Sequence, residues 1–372
     1  MTLGPGLTRK ESWRRYCDKP PRLQPERLTL ARLRALGEAA REEYDESRHD
    51  WHPNLAIIET EQLRAVHRVI DLIVQSNRQE SDRIRGAGAI DAFPGLGKTT
   101  IASTFGRSFD RREIRRHGPE TAAGHPRLPV FRVNLSSGTT LKSLNEKICQ
   151  FYGHPSMKKA RHGYSADRLA GFALDCVLSS ETKLGIVDDI HFITPRRKDG
   201  KDVINHLKYL NSEFPVTFLF AGVDLAGKGF YSDAQIARRW TRLGVAPFEI
   251  ATDQGRADWQ RLIKATERQL VLAHARPGML TSIADYLFAR TTGHIGSFFS
   301  LITRGCYEAI QTGEEDLTRD LLDNVPIDEE AERGRREVEA AIAAGRLTAQ
   351  PTRPKPTARE TRKKPEQMAT AG

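Results

Sequence analysis

The stretch AGAIDAFPGLGKTT, which runs from Ala87 to Thr100, decides the fold. It opens with mostly small and apolar residues, Ala87–Ala92, which predict a buried strand. A glycine-containing turn follows, and then a segment with helical spacing. A strand, a glycine-rich turn and a helix that starts at Gly-Lys-Thr are typical of a phosphate-binding loop, because the N–H groups and dipole at a helix N-terminus favour an anion. The sequence therefore predicts a nucleotide site here.

Each residue type in this loop has a chemical task. Gly95 and Gly97 let the backbone wrap closely around phosphate oxygens, and Lys98 adds a mobile positive charge for the β- and γ-phosphates of ATP. The Thr99 hydroxyl can bind Mg²⁺. Ala92 stands where the strict pattern has glycine, and this smallest of substitutes is expected to do little damage. The residues predicted to contact the nucleotide are Pro94, Gly95, Leu96, Gly97, Lys98, Thr99 and Thr100.

An ATP site also needs carboxylates opposite its lysine, and a second apolar run supplies two of them. Residues 184–187 predict a strand, and Asp188 and Asp189 follow it directly. Asp188 is expected to hold Mg²⁺ through water, together with Thr99. Asp189 is the predicted catalytic residue that polarises the attacking water. Many related sites have glutamate at this second place; aspartate is one methylene shorter, so slow hydrolysis is expected.

Short apolar runs alternate with helical stretches from about residue 84 onward, which favours a parallel sheet covered on both faces. The predicted fold class is α/β, a P-loop NTPase with a parallel five-stranded sheet and a small α-helical lid domain after it. The predicted strands are 87–92, 128–135, 184–187, 216–221 and 245–250. The predicted domains are a polar N-terminal extension (1–50) with one helical stretch at 28–44, a nucleotide-binding core (51–251), a helical lid (252–327), a charged helix (328–345) and a disordered basic tail (346–372).

Composition narrows the class of partner. The 372 residues include 58 Lys and Arg against 48 Asp and Glu, a net charge of +10, which favours a polyanion such as nucleic acid. No run approaches the roughly 20 apolar residues of a membrane span, and the N-terminus lacks the apolar core of a signal peptide. A cytoplasmic protein without membrane contact is expected. The four cysteines are too far apart for a zinc knuckle or a dense disulfide framework.

Taken together, these motifs resemble an AAA+ ATPase. After the two-carboxylate strand come a strand and turn, 218–224, then an arginine-bearing helix, 234–239, and a helical lid. More narrowly, the chain resembles the TniB/TnsC group of transposition regulators over about residues 10 to 320. The specific similarities are the IIETEQ entry at 57–62, the Asp-Asp-Ile-His box at 188–191, the Ala-Gly-Val-Asp turn at 221–224 and Thr-Gly-His-Ile-Gly at 292–296.

The resemblance implies a regulator that assembles on duplex DNA with ATP, as a ring or helical filament, and then recruits or licenses a transposase. It implies that Asp224 contacts the nucleotide near the sensor-1 position. Arg238 and Arg239 would be arginine fingers that reach a neighbouring subunit's nucleotide, although both could also be solvated helix charges. The lid lacks the arginine that usually makes the sensor-2 contact with the nucleotide, and Arg304, on the following helix, is the alternative candidate for it.

Contact with DNA is expected from loops that face the centre of such an assembly. Three segments have suitable composition, residues 136–142, 157–164 and 195–201. Their contacts would be to phosphates, so binding should tolerate any sequence and weaken with salt. Each segment could equally be a solvated loop. The residues predicted to bind DNA are Lys142, Lys158, Lys159 and Arg161.

Two other functions stay open at this point. The first is a nucleotide-gated assembly scaffold that hydrolyses ATP only weakly, which the short Asp189 favours. The second is a replication initiator or helicase loader on the same fold, although these often carry a DNA-binding helix-turn-helix domain after the lid and here only a charged helix and a tail follow. A GTPase or kinase is not expected, because no guanine-reading Asn-Lys-x-Asp follows the later strands.

Overall fold

The computed structural model describes residues 6–79, 84–157, 163–195 and 198–345. Its five strands form one parallel sheet in the order β2-β3-β4-β1-β5, which confirms the predicted α/β class and strand number. The strands are β1 Ala87–Ala92, β2 Val130–Asn134, β3 Leu184–Asp188, β4 Thr217–Gly222 and β5 Trp240–Val245. Because β1 lies between β4 and β5, the loop that follows it emerges beside the carboxyl ends of both neighbours.

The predicted position of the fifth strand, 245–250, is wrong. The structure places β5 five residues earlier, where buried Trp240 and Leu243 alternate with exposed residues. An edge strand of this kind does not appear as an apolar run in the sequence. The residues after it are apolar, but Pro247 has no N–H to donate to a strand partner.

Helices cover both faces of the sheet and continue beyond it. Those up to the end of the core are α1 Lys10–Asp18, α2 Leu30–Arg34, α3 Glu38–Trp51, α4 Glu61–Ser76, α5 Lys98–His117, α6 Leu141–Tyr152, α7 Ala166–Ser179, α8 Lys198–Glu213 and α9 Ala234–Arg239. The rest are α10 Asp253–Glu267, α11 Ala284–Thr291, α12 Ile295–Thr312, α13 Arg319–Asp323 and α14 Glu329–Ala343. Among the described residues, no helix combines the length and the apolar character that a membrane span requires.

The N-terminal fifty residues hold three helices, where the sequence predicts one over 28–44. The predicted stretch is divided at Gly37, the N-cap of α3, into α2 and α3. Helix α1 escapes prediction because it offers only two apolar anchors. Trp13 and Cys17 are fully buried, and the Trp13 indole N–H donates to the Asp110 carboxylate on α5 at 3.1 Å.

Two arginines on α5 hold α1 in place. Arg107 and Arg111 both donate to the carbonyl oxygens of Cys17 and Lys19, at the C-terminus of α1. A cation at this end of a helix satisfies unpaired carbonyls and interacts favourably with the helix dipole. Arg107 and Arg111 therefore fasten the N-terminal helix to the helix that follows the phosphate loop.

Helix α3 packs against the other half of the molecule. Arg48 is fully buried and donates to both oxygens of Glu315, at 2.7 and 3.0 Å, and Glu315 is buried as well. The Trp51 indole N–H donates to the Gln269 carbonyl oxygen at 2.6 Å. The N-terminal segment thus contacts the sheet domain through α1 and the helical domain through α3.

The C-terminal helices enclose an apolar cluster of their own. Trp259 lies at its centre, with ring contacts to Phe248, Phe288 and Phe298. Helix α14 packs on α11, where the buried Arg290 pairs with Glu332 at 2.8 Å. This helical region follows the sheet as the sequence predicts. The segment after β5 is tied to it by a hydrogen bond from the Phe248 N–H to the Gly293 carbonyl oxygen at 2.8 Å.

Candidate nucleotide-binding site

The loop between β1 and α5 has the geometry of a phosphate cradle. Gly95 and Gly97 adopt φ of +75° and +79°, the left-handed region that glycine enters without steric cost. Gly97 is the N-cap of α5, a 20-residue helix, so the loop ends at a helix N-terminus with unpaired N–H groups. The predicted nucleotide contacts from Pro94 to Thr100 lie along this turn and the start of α5.

Lys98 lies at the start of α5 with its side chain largely buried. Its ammonium donates to the Phe93 carbonyl oxygen at 3.3 Å. Burial lowers the pKa of Lys98, while the nearby carboxylates of Asp188, Asp189 and Asp91 act in the opposite direction. Lys98 therefore places a positive charge at the N-terminus of α5, where phosphate oxygens would lie.

Asp188 ends β3 directly opposite this loop, and its carboxylate is 1% exposed. The Thr99 hydroxyl donates to Asp188 Oδ2 at 2.9 Å, and the Asp189 N–H donates to Asp188 Oδ1 at 2.9 Å. A hydroxyl and a carboxylate in contact form the hard oxygen set that Mg²⁺ prefers. The donor set therefore fits this cation, and the structure brings together the two residues predicted to hold it.

Asp189 is more exposed than Asp188 and differs from it in backbone conformation. Its backbone is left-handed, with φ of +60°, and its carboxylate is about one third exposed. Burial and the charge of Asp188 both raise the pKa of Asp189, whereas His191 and Lys98 lower it. A carboxylate that is accessible, and whose affinity for a proton is increased, can accept a hydrogen bond from a water molecule and polarise it.

A cavity of about 430 Å³ lies beside the phosphate loop. Its wall combines the loop itself with a segment before α4 and with the start of α12 in the lid. Residues from these three segments, and from the segment that follows β5, line the cavity, namely Leu55, Ile57, Ile58, Gly95, Leu96, Gly97, Ala246, Phe248, Ile295 and Phe299. The mostly apolar wall and the size suit a nucleoside, with its phosphates on the loop.

The lid touches the phosphate loop directly. The Gly296 N–H at the start of α12 donates to the Gly95 carbonyl oxygen at 2.8 Å. A Cβ at position 296 would lie 2.9 Å from that oxygen, so the approach requires glycine. In the sequence, residues 292–296 stand out only as a similarity to a known family. The structure shows that Gly296, the last of them, contacts the phosphate loop.

Comparison with known proteins identifies this arrangement. Residues 82–226 match the protein family described as AAA domain. The chain has the AAA+ P-loop NTPase fold. The structure superposes on the ORC2 protein of Aeropyrum pernix in its ADP form with a TM-score of 0.55, at 15% identity, over 74% of this chain and 71% of that one.

A second similar structure is the Aeropyrum pernix ORC1 protein in complex with DNA. Its TM-score is 0.54, at 17% identity, and the match covers 77% of this chain and 68% of that one. At these identities the likeness concerns the fold. No curated protein matches the sequence at a significant level.

In the AAA+ frame, Asp224 lies in the turn after β4, beside the end of β1. Its φ is +50°, and its Oδ1 accepts the Gly227 N–H at 3.2 Å. Asp91, at the end of β1, anchors the same turn by accepting the N–H groups of Leu225 at 2.8 Å and Ala226 at 3.3 Å. Asp91 carries no local sign of this role in the sequence, because an acid inside a strand does not reveal that it caps a distant turn.

Arg238 and Arg239 lie at the opposite end of the sheet from the phosphate loop. They end α9, immediately before Trp240, whose strand partner is Ala87 at the start of β1. The loop follows the other end of β1, and six strand residues span roughly 17–20 Å. Arg238 is exposed, and no described residue forms an ion pair with it. Neither arginine is placed to reach the nucleotide loop of its own chain.

The other predicted residues are those expected to bind DNA and the candidate for sensor 2. Lys142 is exposed in the first turn of α6, after the Thr140 cap. Lys158, Lys159 and Arg161 lie outside the described residues. Arg304 is not near the phosphate loop: it lies more than two turns along α12 from Gly296, and its guanidinium donates to the Pro326 carbonyl oxygen. This geometry gives the prediction of Arg304 as sensor 2 no support.

Proposed function

We propose that this chain is an ATP-hydrolysing AAA+ protein that assembles on duplex DNA and regulates transposition by recruiting or licensing a transposase at the target. The observation that carries the nucleotide part is the contact between Thr99 and Asp188, 2.9 Å apart across the mouth of the phosphate loop. A cytoplasmic location accompanies this proposal.

Each site residue has one task in hydrolysis. The N–H groups from Gly95 to Thr99 and the Lys98 ammonium bind and orient the phosphates. Thr99 and Asp188 hold Mg²⁺, which supplies positive charge to the phosphate oxygens when it is bound. Asp189 polarises the attacking water. Because Asp189 is shorter than glutamate, we expect slow turnover that DNA or a neighbouring subunit accelerates.

The position of the α9 arginines supports assembly. Arg238 is exposed at the edge strand, roughly a strand length from its own phosphate loop, so any contact between this arginine and a nucleotide must be made across a subunit boundary. An arginine supplied in trans is worth roughly 10³–10⁵ in hydrolysis rate. ATP would then lie between subunits and order a ring or helical filament.

Charge supports DNA as the partner. The net charge is +10, Lys142 is exposed at the start of α6, and Lys158, Lys159 and Arg161 follow that helix in sequence. Each phosphate contact is weak, but a repeat in every subunit of an assembly multiplies the effect. DNA binding should therefore require ATP, tolerate any sequence and weaken steeply with salt.

The first experiment tests hydrolysis. Turnover of ATP is measured with and without duplex DNA for the parent, Asp188→Asn and Asp189→Asn. Asp188→Asn should weaken Mg²⁺ binding, so that turnover needs a higher Mg²⁺ concentration. Asp189→Asn should trap an ATP-bound assembly. Asp175→Asn, an exposed acid on α7, is the matched control and should match the parent. Unchanged turnover in Asp189→Asn would favour the weakly hydrolysing scaffold.

The second experiment tests assembly. Mass photometry with ATP and duplex DNA should show large complexes for the parent and monomers for Arg238→Ala combined with Arg239→Ala. The control is Arg333→Ala combined with Arg336→Ala, two exposed arginines on α14. A monomeric parent that binds duplex equally tightly without nucleotide contradicts the proposed assembly; the basic residues from Arg346 onward would then be the source of affinity.

A replication initiator or helicase loader is the second candidate, favoured by the similarity in fold to the two Aeropyrum pernix proteins. Binding to many duplexes separates the two functions. The transposition regulator should bind unrelated sequences within about tenfold of one another, whereas a sequence-reading initiator should prefer its site by roughly 10³-fold or more. An ATP-dependent stimulation of strand transfer by a transposase encoded beside this chain would support the first function directly.

A further inference from the structure

An arginine that no motif predicts contacts the carboxylate at the centre of the site. Arg132 lies on β2 and is buried, and its Nη2 donates to Asp188 Oδ2 at 2.9 Å. Strand register explains the meeting. Arg132 pairs with Ile186 on β3, and Asp188 lies two residues further along β3, so all three side chains share one face of the sheet.

Asp188 is the only acidic partner that Arg132 has among the described residues. The Nε–H group of Arg132 is buried and donates to no acceptor among the described residues. On α1, the Arg107 guanidinium lies over the Tyr16 ring; burial raises the pKa of Tyr16, and the charges of Arg107 and Arg132 lower it. The Arg132 guanidinium is thus buried, and its ion pair is with the Asp188 carboxylate.

Stability alone does not account for such a pair. Two buried charges lose hydration, and an apolar pair of similar volume is often as stable or more so. A second buried arginine in the chain shows the ordinary arrangement: Arg127 pairs with Glu181 but also donates to the carbonyl oxygens of Gly118 and Glu120. Among the described residues, Arg132 donates to no backbone carbonyl, so its interaction is directed at Asp188.

We propose that Arg132 is a positioning residue that acts as a built-in counter-ion of Asp188, keeping this carboxylate oriented toward Thr99 and competing with a divalent cation for it. The inference rests on the proposed function, since it takes Asp188 as the residue that holds Mg²⁺. Arg132 occupies Oδ2 together with Thr99, and the Asp189 N–H occupies Oδ1. A cation that approaches Asp188 meets a carboxylate whose charge is already compensated.

Removal of the guanidinium should therefore have two linked effects. In Arg132→Met the buried carboxylate loses its counter-ion, so Tm in EDTA should fall by about 10 °C. With Mg²⁺ and ADP present, the cation replaces the lost charge, and the variant should regain more Tm than the parent gains. The Mg²⁺ concentration for half-maximal stabilisation at fixed ADP should fall by about tenfold, because the competing cation is gone.

The experiment is thermal unfolding of the full chain in EDTA and across a MgCl₂ titration with ADP, which avoids turnover. Arg132→Lys retains a charge and should lie between the parent and Arg132→Met in both readouts. Arg127→Met is the matched control: it should lose Tm equally in EDTA and in Mg²⁺ with ADP. Asp188→Asn combined with Arg132→Met removes both charges and should recover most of the Tm lost in EDTA.

Equal increments from Mg²⁺ and ADP in the parent and in Arg132→Met, with an unchanged half-maximal concentration, would overturn the role of Arg132 and leave the proposed function intact. A parent that gains no Tm from Mg²⁺ with ADP contradicts both the inference and the proposed function. If Arg132→Met does not fold even with Mg²⁺ and ADP, Arg132→Lys decides: a lower half-maximal Mg²⁺ concentration supports the inference, and an unchanged one refutes it.

Discussion

Glu315 connects the N-terminal segment to the lid, and its replacement by glutamine should destabilise the protein strongly. The carboxylate is fully buried and accepts from Arg48 at 2.7 and 3.0 Å, from Arg41 at 3.4 Å and from the Ala273 N–H at 3.0 Å. Glutamine keeps the size but removes the charge. Arg48, itself fully buried, then keeps the ion pair with Asp45 and a hydrogen bond of 3.4 Å to the Val271 carbonyl oxygen.

The magnitude follows from the burial of both partners. Breaking a buried ion pair by removing one charge costs about 3–5 kcal/mol, and the remaining contact with Asp45 places the effect at the lower end, about 3 kcal/mol. At about 2–4 °C per kcal/mol, Tm should fall by about 6–12 °C. Urea unfolding followed by tryptophan fluorescence reports the change, because Trp51 and Trp259 both lie in this half of the molecule.

Two further variants make the reasoning refutable. Glu314→Gln, the exposed neighbour, should remain within about 0.5 kcal/mol of the parent. Arg48→Met combined with Glu315→Leu removes both charges and should recover most of the lost free energy of unfolding. If Glu315→Gln unfolds at the same urea concentration as the parent, the buried cluster does not hold the N-terminal segment to the lid.

Three other predictions follow from single residues. Burial lowers the pKa of His52 from 6.5 to about 4, so the unfolded chain binds a proton first as the pH falls. Between pH 6.5 and pH 4 the free energy of unfolding of the parent should therefore fall by about 3 kcal/mol. Urea unfolding across this pH range should show the fall in the parent but not in His52→Gln. Gly97→Ala should lose about 1–2 kcal/mol of stability because φ is +79°, and a thermal melt checks this. Lys142→Glu should weaken DNA binding and reduce its logarithmic salt slope by about one, while Lys264→Glu on the lid should not.

The sequence predicted the parts of the site that are local in the chain. The phosphate loop needs glycines, a lysine and a threonine in consecutive positions, and the structure places them at a left-handed turn and a helix N-terminus. The two-carboxylate strand end is equally local, and β3 brings Asp188 to Thr99 as expected. Strand number and parallel order follow from the alternation of apolar runs and helices.

What the sequence could not predict depends on contacts between distant segments. Arg132 meets Asp188 only because β2 and β3 pair in one register, and Asp91 caps a turn more than a hundred residues away. Helix α1 depends on two buried residues, Trp13 and Cys17, and on arginines of α5 that are about ninety residues away in sequence. The cavity wall combines residues 52–58 with the loop and the lid, and no one of these segments is distinctive by itself.

The central claim is that the loop from Gly95 to Thr99, with Asp188, binds ATP with Mg²⁺. Titration of a fluorescent ATP analogue into the parent, Lys98→Ala and the control Lys264→Ala tests it most directly, with circular dichroism to confirm that each variant is folded. The account predicts that the parent and Lys264→Ala bind alike and that Lys98→Ala loses at least about 30-fold in affinity. A folded Lys98→Ala protein that binds the analogue as tightly as the parent would contradict it.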